Sequence, residues 1–292
     1  MSVVTVGDFD GVHSGHKELL RQVTRFASEQ GLASVVVTFD RNCKDVLRNT
    51  SGSYLTTLAE KKRLLLAEGV DSVCVVSFDS TFASMSPEVF LSYLKDHCGC
   101  TYLFGGEDFR FGKDGAGTLT DGSCVQDIGQ KVVTLKTDVM KISSSAIRSA
   151  LSDGLIDQAN GWLGYPYFIS GTVVEGKHLG RTIGFPTLNL NASPEKILPG
   201  DGVYITETTV DGTTYRSVTN VGVRPSFNDG MQKNVETHLL NANGDFYGKT
   251  VTVRFLARLR EERQFSDLGS LMQQLRIDRE QAFSWRNPQY FS

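Results

Sequence analysis

The stretch Gly7-Asp8-Phe9-Asp10-Gly11-Val12-His13-Ser14-Gly15-His16 decides the fold of the amino-terminal half. A short apolar run, Val3 to Val6, precedes it. An amphipathic run, Lys17 to Gln30, follows, with Leu19, Leu20, Val23, Phe26 and Ala27 on one face. The first reads as a buried strand and the second as a helix. The decapeptide is then a strand-to-helix turn at the carboxyl end of a strand, where open parallel sheets bind ligands. Gly7, Gly11 and Gly15 let backbone approach a ligand closely, and the helix start offers N–H groups to phosphate. His13 and His16 are placed to donate hydrogen bonds to charge developing on an α-phosphate, the stabilisation that in-line phosphoryl chemistry needs. The plain alternative is a polar turn carrying two surface histidines.

Outward from this turn the alternation repeats. Ser34 to Phe39 is an apolar run suited to burial on both faces. Leu58 to Glu68 is helical in character and stops at Gly69; Ser72 to Phe78 reads as a third strand. Ser86-Pro87-Glu88 supplies an N-cap, a Pro at N1 and an acidic first turn for a helix reaching Cys98. Thr101 to Phe104 and Lys131 to Lys136 are the next strands, and Ser143 to Leu151 opens a further helix. This is the α/β pattern of a doubly wound, Rossmann-like parallel sheet. Two loops at strand ends join the turn as candidates. Gly105 to Gly112 carries Asp108, able to hold a ribose or base hydroxyl. Lys141 to Arg148 places Ser143, Ser144 and Ser145 at a helix start with Arg148 one turn in, which suits a triphosphate.

The second half changes period. From Tyr167 onward short strands alternate apolar and polar. Val203 to Val210 and Tyr215 to Val221 flank Asp211-Gly212, a type I′ hairpin signal. Val235 to Leu240 and Val251 to Leu256 follow, and Phe265 to Trp285 reads as a closing helix with Leu268, Leu271, Leu275 and Phe283 as its apolar positions. A small antiparallel β-barrel with a carboxy-terminal helix is expected. The boundary between halves is expected at 164/165, near Gly164-Tyr165-Pro166.

This half has its own constellation. Gly176-Lys177-His178-Leu179-Gly180-Arg181-Thr182-Ile183-Gly184-Phe185-Pro186-Thr187-Leu188-Asn189 is glycine-rich and basic, as suits a loop closing over phosphates. Thr187 and Asn189 alternate, so on a strand they share a face. Two neutral oxygen ligands there can hold a Mg²⁺ that keeps several waters. Glu236 and His238 share a face of another strand. Glu236 is either a general base or an acid paired with a neighbour at the surface. Gly244 to Thr250, GDFYGKT, looks like a phosphate-binding P-loop. Its glycine spacing is one short and a strand pattern follows it, so it is expected to be a turn between strands.

Composition limits the classes of function. The 292 residues suit two domains, and 40% hydrophobic with 22% charged residues is ordinary for a globular chain. A net charge of −3 gives no reason to expect nucleic acid or an anionic membrane as partner. The amino terminus lacks a basic leader, and no apolar run reaches the roughly 20 residues of a membrane span, so a cytoplasmic address is expected. Five irregularly spaced cysteines fit free thiols better than zinc or disulfides.

GDFDGVHSGH, GGEDFRFGKDGAG and ISSSAIR resemble the adenylyltransferase module of the bacterial bifunctional riboflavin kinase/FAD synthetases, with weaker likeness at LTTLAEKKRLL and FASMSPEVF. GRTIGFPTLN, DGVY, NVGVRPSF, VETHLL, GDFYGK and LREERQF are similar, in order, to the riboflavin kinase module. The resemblance implies an FMN adenylyltransferase over 1–164 and a riboflavin kinase over 165–292. ATP and Mg²⁺ would be consumed or required, with riboflavin, FMN and FAD as substrates and products. It implies that His13 and His16 stabilise the transition state as the FMN phosphate attacks ATP. Gly7, Phe9, Asp10, Gly11, Gly15, Asp108, Ser143, Ser144, Ser145 and Arg148 would hold that ATP. In the other half it implies nucleotide or flavin contacts from Gly176, Lys177, Gly180, Arg181, Thr182, Gly184, Phe185, Pro186, Thr187, Asn189 and Arg260. Thr187 and Asn189 would be the metal ligands and Glu236 the base toward the ribityl 5′-hydroxyl. The family's usual Pro-His-Pro after the second strand is here Phe39-Asp40-Arg41-Asn42-Cys43, Leu188 replaces a usual Ala, and Lys141 stands where Arg is common. A riboflavin kinase with a weakened adenylyltransferase half, and a non-catalytic flavin carrier or sensor, are the alternative readings.

Overall fold

The computed structural model describes residues 1–43, 45, 53–119, 128–133, 142–176, 180, 183–226, 230–242 and 244–286. They form two compact units, Met1–Ser144 and Ser145–Ser292.

The first unit is built on five parallel strands: β1 (Ser2–Val6), β2 (Ala33–Phe39), β3 (Ser72–Val76), β4 (Cys100–Gly106) and β5 (Gly129–Val133). Their order is β3-β2-β1-β4-β5, so the chain reverses direction across the sheet between β1 and β4. The carboxyl ends at that reversal form the crevice in which such sheets bind ligands. Helix α1 (Ser14–Gln30) starts inside the quoted decapeptide, three residues before the expected Lys17, and ends on Gly31 in the left-handed conformation. Its inward face, Leu20, Val23 and Ala27, is buried as the apolar spacing predicts. Helix α2 (Leu58–Ala67) opens with a reciprocal capping box between Thr57 and Glu60. Helix α3 (Pro87–Cys98) has Ser86 as N-cap and Pro87 at its first position, as expected. A short hairpin, Arg110–Phe111 with Gly117–Thr118, follows β4. The expected fifth strand begins two residues early, and 134–136 lie outside the described residues.

The second unit opens with α4 (Ser144–Ser152) and α5 (Ile156–Leu163). The Gly200 N–H donates to Leu151 O at 2.8 Å, Asn160 Nδ2 donates to Phe255 O at 2.9 Å, and Asn160 Oδ1 accepts from the Tyr167 N–H at 2.7 Å. These bonds tie both helices to the barrel, and the division between the two compact units falls between Ser144 and Ser145, at the first residue of α4. Six strands then close a barrel: β6 (Phe168–Val174), β7 (Leu188–Ala192), β8 (Gly202–Val210), β9 (Thr213–Ser226), β10 (Gly230–Leu239) and β11 (Thr250–Arg260), in the order β8-β9-β10-β7-β6-β11. Asp211 and Gly212 both have positive φ, 49° and 77°, the I′ geometry read from their sequence.

The barrel inverts a simple expectation about its faces. Val203, Ile205 and Val218 pack outward with Ala282 of the closing helix α6 (Leu268–Ser284). On the opposite face Thr206, Thr208, Ser217, Thr219 and Thr237 are completely buried. Their hydroxyls form a closed five-membered ring: Thr206–Ser217 2.8 Å, Ser217–Thr208 2.8 Å, Thr208–Thr237 3.4 Å, Thr237–Thr219 2.7 Å and Thr219–Thr206 2.7 Å. In such a ring each hydroxyl donates once and accepts once, so none is buried without a partner. The ring staples β10 to β8 and β9. Helix α6 also departs from its predicted face. Leu268 and Phe283 are exposed, whereas Asp278 is buried and takes both Arg260 Nε, at 3.0 Å, and Nη2, at 2.7 Å. A charged pair at the docking face outranks apolar spacing here because an unpaired buried carboxylate would be costly.

Candidate functional sites

The decapeptide forms a strained turn. Phe9, Gly11 and Val12 all have positive φ, 49°, 81° and 39°. For a β-branched residue such as Val12 this is a true outlier, of the kind retained at functional turns when surroundings over-determine it. Three observations supply the surroundings. Phe9 and Val12 are buried in one apolar cluster with Leu20, Val36, Leu65 and Val70. The buried Asp10 carboxylate accepts the N–H groups of Leu55 and Thr56 at 2.9 and 3.1 Å, and the Gly11 N–H donates to Thr56 Oγ1 at 3.1 Å. Ser144 Oγ donates to Asp10 O at 2.9 Å, which brings the serine segment to the turn. Asp10 thus shapes the loop from beneath.

His13 is the N-cap of α1, whose start has no side-chain cap. The His13 and His16 rings stack 3.6 Å apart, and Phe9 meets His16 edge-on at 5.1 Å. Both Nδ1 atoms are shielded from solvent and lack a hydrogen-bond partner among the described residues. Burial pushes His13 down to about 4. Burial, then the neighbouring charges of His13 and Lys61, hold His16 well below the usual imidazole range. Both rings are therefore neutral at pH 7 beside a helix start without a side-chain cap, each with one N–H to donate. A stability test follows. Unfolded His13 takes up its proton near 6.5 and folded His13 near 4, so the unfolded chain binds more protons between those values. The stabilisation is complete above pH 6.5, is lost as pH falls through that window, and the loss levels off below about 4; it totals about 3 kcal/mol. Urea unfolding of the wild type should show this pH dependence, and in His13→Gln the total stability change between pH 6.5 and 4 should be smaller by about that amount.

The other expected contacts of this half are distributed as follows. Gly7 and Gly15 lie in the half-buried rim of the turn, and Asp108 is exposed in the bend after β4. Ser143 precedes α4; Ser145 and Arg148 belong to α4, where Arg148 Nη2 donates to Ser145 Oγ at 3.2 Å. Lys141 is outside the described residues. Asp40, in place of the family's Pro-His-Pro, accepts from Ser77 Oγ at 2.6 Å and the Phe78 N–H at 3.2 Å. Partial burial raises this carboxyl, but those bonds prevail and hold it below its usual range.

The second site lies on the barrel. The register of β10 against β7 sets Glu236 directly opposite Asn189. Asn234 Nδ2 donates to Glu236 Oε1 at 2.9 Å and to Asn189 Oδ1 at 3.3 Å, linking the expected base to the expected metal ligand. His238 Nδ1 contacts Pro186 O at 2.8 Å, anchoring the chain just before Thr187. A cavity of about 250 Å³ is lined by Pro186, Thr187, Asn189, Phe246 and Tyr247, among others. The GDFYGKT stretch is a turn before β11, as expected, but two of its aromatics wall this cavity. Asn234, Phe246 and Tyr247 escaped the sequence reading because nothing local marks a side chain that a barrel carries to a neighbouring strand.

Two glycines allow close approach to the segment that leads into this cavity. A Cβ on Gly176 would overlap the Asn189 amide, and one on Gly180 would overlap Phe185 O. Gly184 has φ 77°, and Phe185 is buried. Lys177, Arg181 and Thr182 lie outside the described residues. Arg260 commits Nε and Nη2 to Asp278 and Nη1 to Glu261 O, placing it as a tie between β11 and α6. Gly176→Ala should displace the Asn189 amide and lower FMN formation about a hundredfold, with FAD formation from supplied FMN unchanged, measured as initial rates.

The donor set fits Mg²⁺. Thr187 and Asn189 offer neutral oxygens with the Glu236 carboxylate opposite Asn189, and the described residues hold no cluster of three His, Cys, Asp or Glu that could cage a metal alone. That matches an ion bound through one or two protein oxygens and completed by water and substrate phosphates.

Comparison with known proteins agrees in both halves. A family model described as FAD synthetase matches residues 1–149 and one described as riboflavin kinase matches 163–285. Bifunctional riboflavin kinase/FMN adenylyltransferase of Bacillus subtilis is 35% identical, over 97% of this chain and 92% of its own length; that of Escherichia coli K12 is 36% identical over 94% and 90%. A solved structure described as a macrolide-efflux protein from Streptococcus pneumoniae has a TM-score of 0.91 and 35% identity, covering 98% of this chain and 94% of that one. No helix among the described residues is long and apolar enough to cross a membrane. Two matched family models in tandem and full-length relatives with both activities in their names lead to one conclusion: the chain belongs to the bifunctional riboflavin kinase/FMN adenylyltransferase family.

Proposed function

We propose that this chain phosphorylates riboflavin to FMN with its carboxy-terminal domain, 165–292, and adenylylates FMN to FAD with its amino-terminal domain, 1–164. The observation that carries the reading is the register of β10 on β7, which brings Glu236, Asn234 and Asn189 together beside the cavity containing Thr187. In the barrel, Glu236 takes the proton of the ribityl 5′-hydroxyl as that oxygen attacks the γ-phosphorus of ATP, the bond to the β,γ-bridging oxygen breaks and ADP leaves. Thr187 and Asn189 would hold Mg²⁺, which would supply charge neutralisation on the phosphates.

In the sheet domain, the FMN phosphate attacks the α-phosphorus of ATP and pyrophosphate leaves. His13 and His16 donate N–H hydrogen bonds to the charge that develops, and the start of α1 adds its N–H groups. Asp10 keeps the turn in shape; Ser144 joins it, and Ser143, Ser145 and Arg148 complete the phosphate contacts. Asp108 takes a sugar hydroxyl. The setting is the cytoplasm, with ATP, riboflavin and FMN as partners. Incubation with riboflavin, ATP and MgCl₂, followed by chromatography, tests the reading. FMN and FAD should appear in sequence. FMN without FAD, even with excess FMN and pyrophosphatase, refutes the second activity. Tight flavin binding with no turnover would favour a carrier.

A further inference from the structure

We propose that Lys61 is a positioning residue for adenylyl transfer: its buried ammonium pins the catalytic turn to the end of β2 and sets the charge environment of His16. The inference rests on the reading of that turn as the adenylyltransferase site.

Lys61 lies in the first turn of α2 and is only 8% exposed. Its Nζ donates to Asp8 O at 3.0 Å and to Phe39 O at 2.9 Å. Phe39 ends β2, and Asp8 lies in the turn that follows β1. The ammonium therefore spans the carboxyl ends of two adjacent strands, where the ligand crevice opens. Holding a cation there is costly on two counts. Burial of an ammonium is unfavourable, and a cation in the first turn opposes the helix dipole. An apolar side chain would fill the space without either cost, so a purely packing role does not account for a lysine.

The surrounding charges do account for it. Burial pulls the ammonium below its ordinary range, and the carboxylates of Asp8, Asp10 and Asp40 favour its charged form against that. Three carboxylates surround a crevice that must accept ATP phosphates, and Lys61 offsets them from inside the fold. The groups facing His16 are His13 and Lys61, both of which oppose its protonation. Removing the Lys61 charge leaves His16 easier to protonate. A protonated His16 would change the charge state of the pair that receives the phosphate, leaving a cation stacked 3.6 Å from the neutral His13 in place of two neutral donors.

The test uses the full chain as wild type, K61M, K61Q and K61R. FAD formation from supplied FMN and ATP and FMN formation from riboflavin are measured in parallel. The imidazole C–H signals, from five histidines in all, are titrated by ¹H–¹³C NMR. K61M and K61Q should lose about tenfold or more in FAD formation and keep FMN formation within about twofold. The His16 midpoint should rise in both and stay near wild type in K61R, which keeps the charge. FAD formation in K61M within about twofold of a competent wild type overturns the Lys61 assignment. So do equal His16 midpoints in K61Q and K61R, a comparison that stands even if K61M does not fold. A wild type that makes no FAD overturns the adenylyltransferase reading instead.

Discussion

Glu236→Gln is expected to lower FMN formation by about three orders of magnitude, within the range for losing a positioned general base. The substitution keeps shape and hydrogen-bonding reach, so the contact with Asn234 at 2.9 Å can be kept. It also leaves the β10–β7 register untouched, because that register is made by backbone. What it removes is the capacity to accept the proton of the attacking hydroxyl. Initial rates with riboflavin and ATP report the loss. FAD formation from supplied FMN, in the same tube of enzyme, should stay within about twofold, since the two sites share no residue. Full kinase activity in this variant would refute Glu236 as base and leave it as the partner of Asn234.

His16→Ala is expected to lower FAD formation about a hundredfold or more, the usual effect of deleting one donor to transition-state charge. It also removes one ring of the stack with His13 and the edge contact with Phe9, so His13 loses its support as well. FMN formation should be unaffected. The measurement is pyrophosphate release from FMN and ATP, set against riboflavin phosphorylation by the same preparation. Equal loss of both activities would show that the halves do not act independently. A Km for ATP that rises with kcat unchanged would make His16 a ground-state contact rather than a stabiliser of the transition state.

Much of both domains was legible locally. The alternation of apolar strands and amphipathic helices, Ser86-Pro87 at a helix start and Asp211-Gly212 in a hairpin are each encoded within a few neighbouring residues. His13 and His16 were visible as candidates because they fall in the turn between a buried strand and an amphipathic helix, at the ligand-binding end of a parallel sheet. Their stacking was not visible, nor was the displacement of their protonation, because both depend on burial beneath other segments. Helix α6 was found, yet its buried face was misread at Leu268 and Phe283. Spacing alone does not reveal that Arg260, eighteen residues before Asp278, will claim that face.

The sequence by itself determined the two architectures, their order, and the short motifs at Gly7–His16 and Gly176–Asn189. Those follow from local periodicity and turn chemistry, which act over a few residues. Tertiary structure alone decided which distant side chains meet. Asn234 bridges Glu236 and Asn189, Phe246 and Tyr247 wall the cavity, and five hydroxyls close a ring inside the barrel. Lys61 reaches Asp8 and Phe39 across separate strands. The reason is physical. Strand register and sheet order place residues 45 or more positions apart within bonding distance, and burial then sets their charge states, whereas a local stretch of sequence encodes neither.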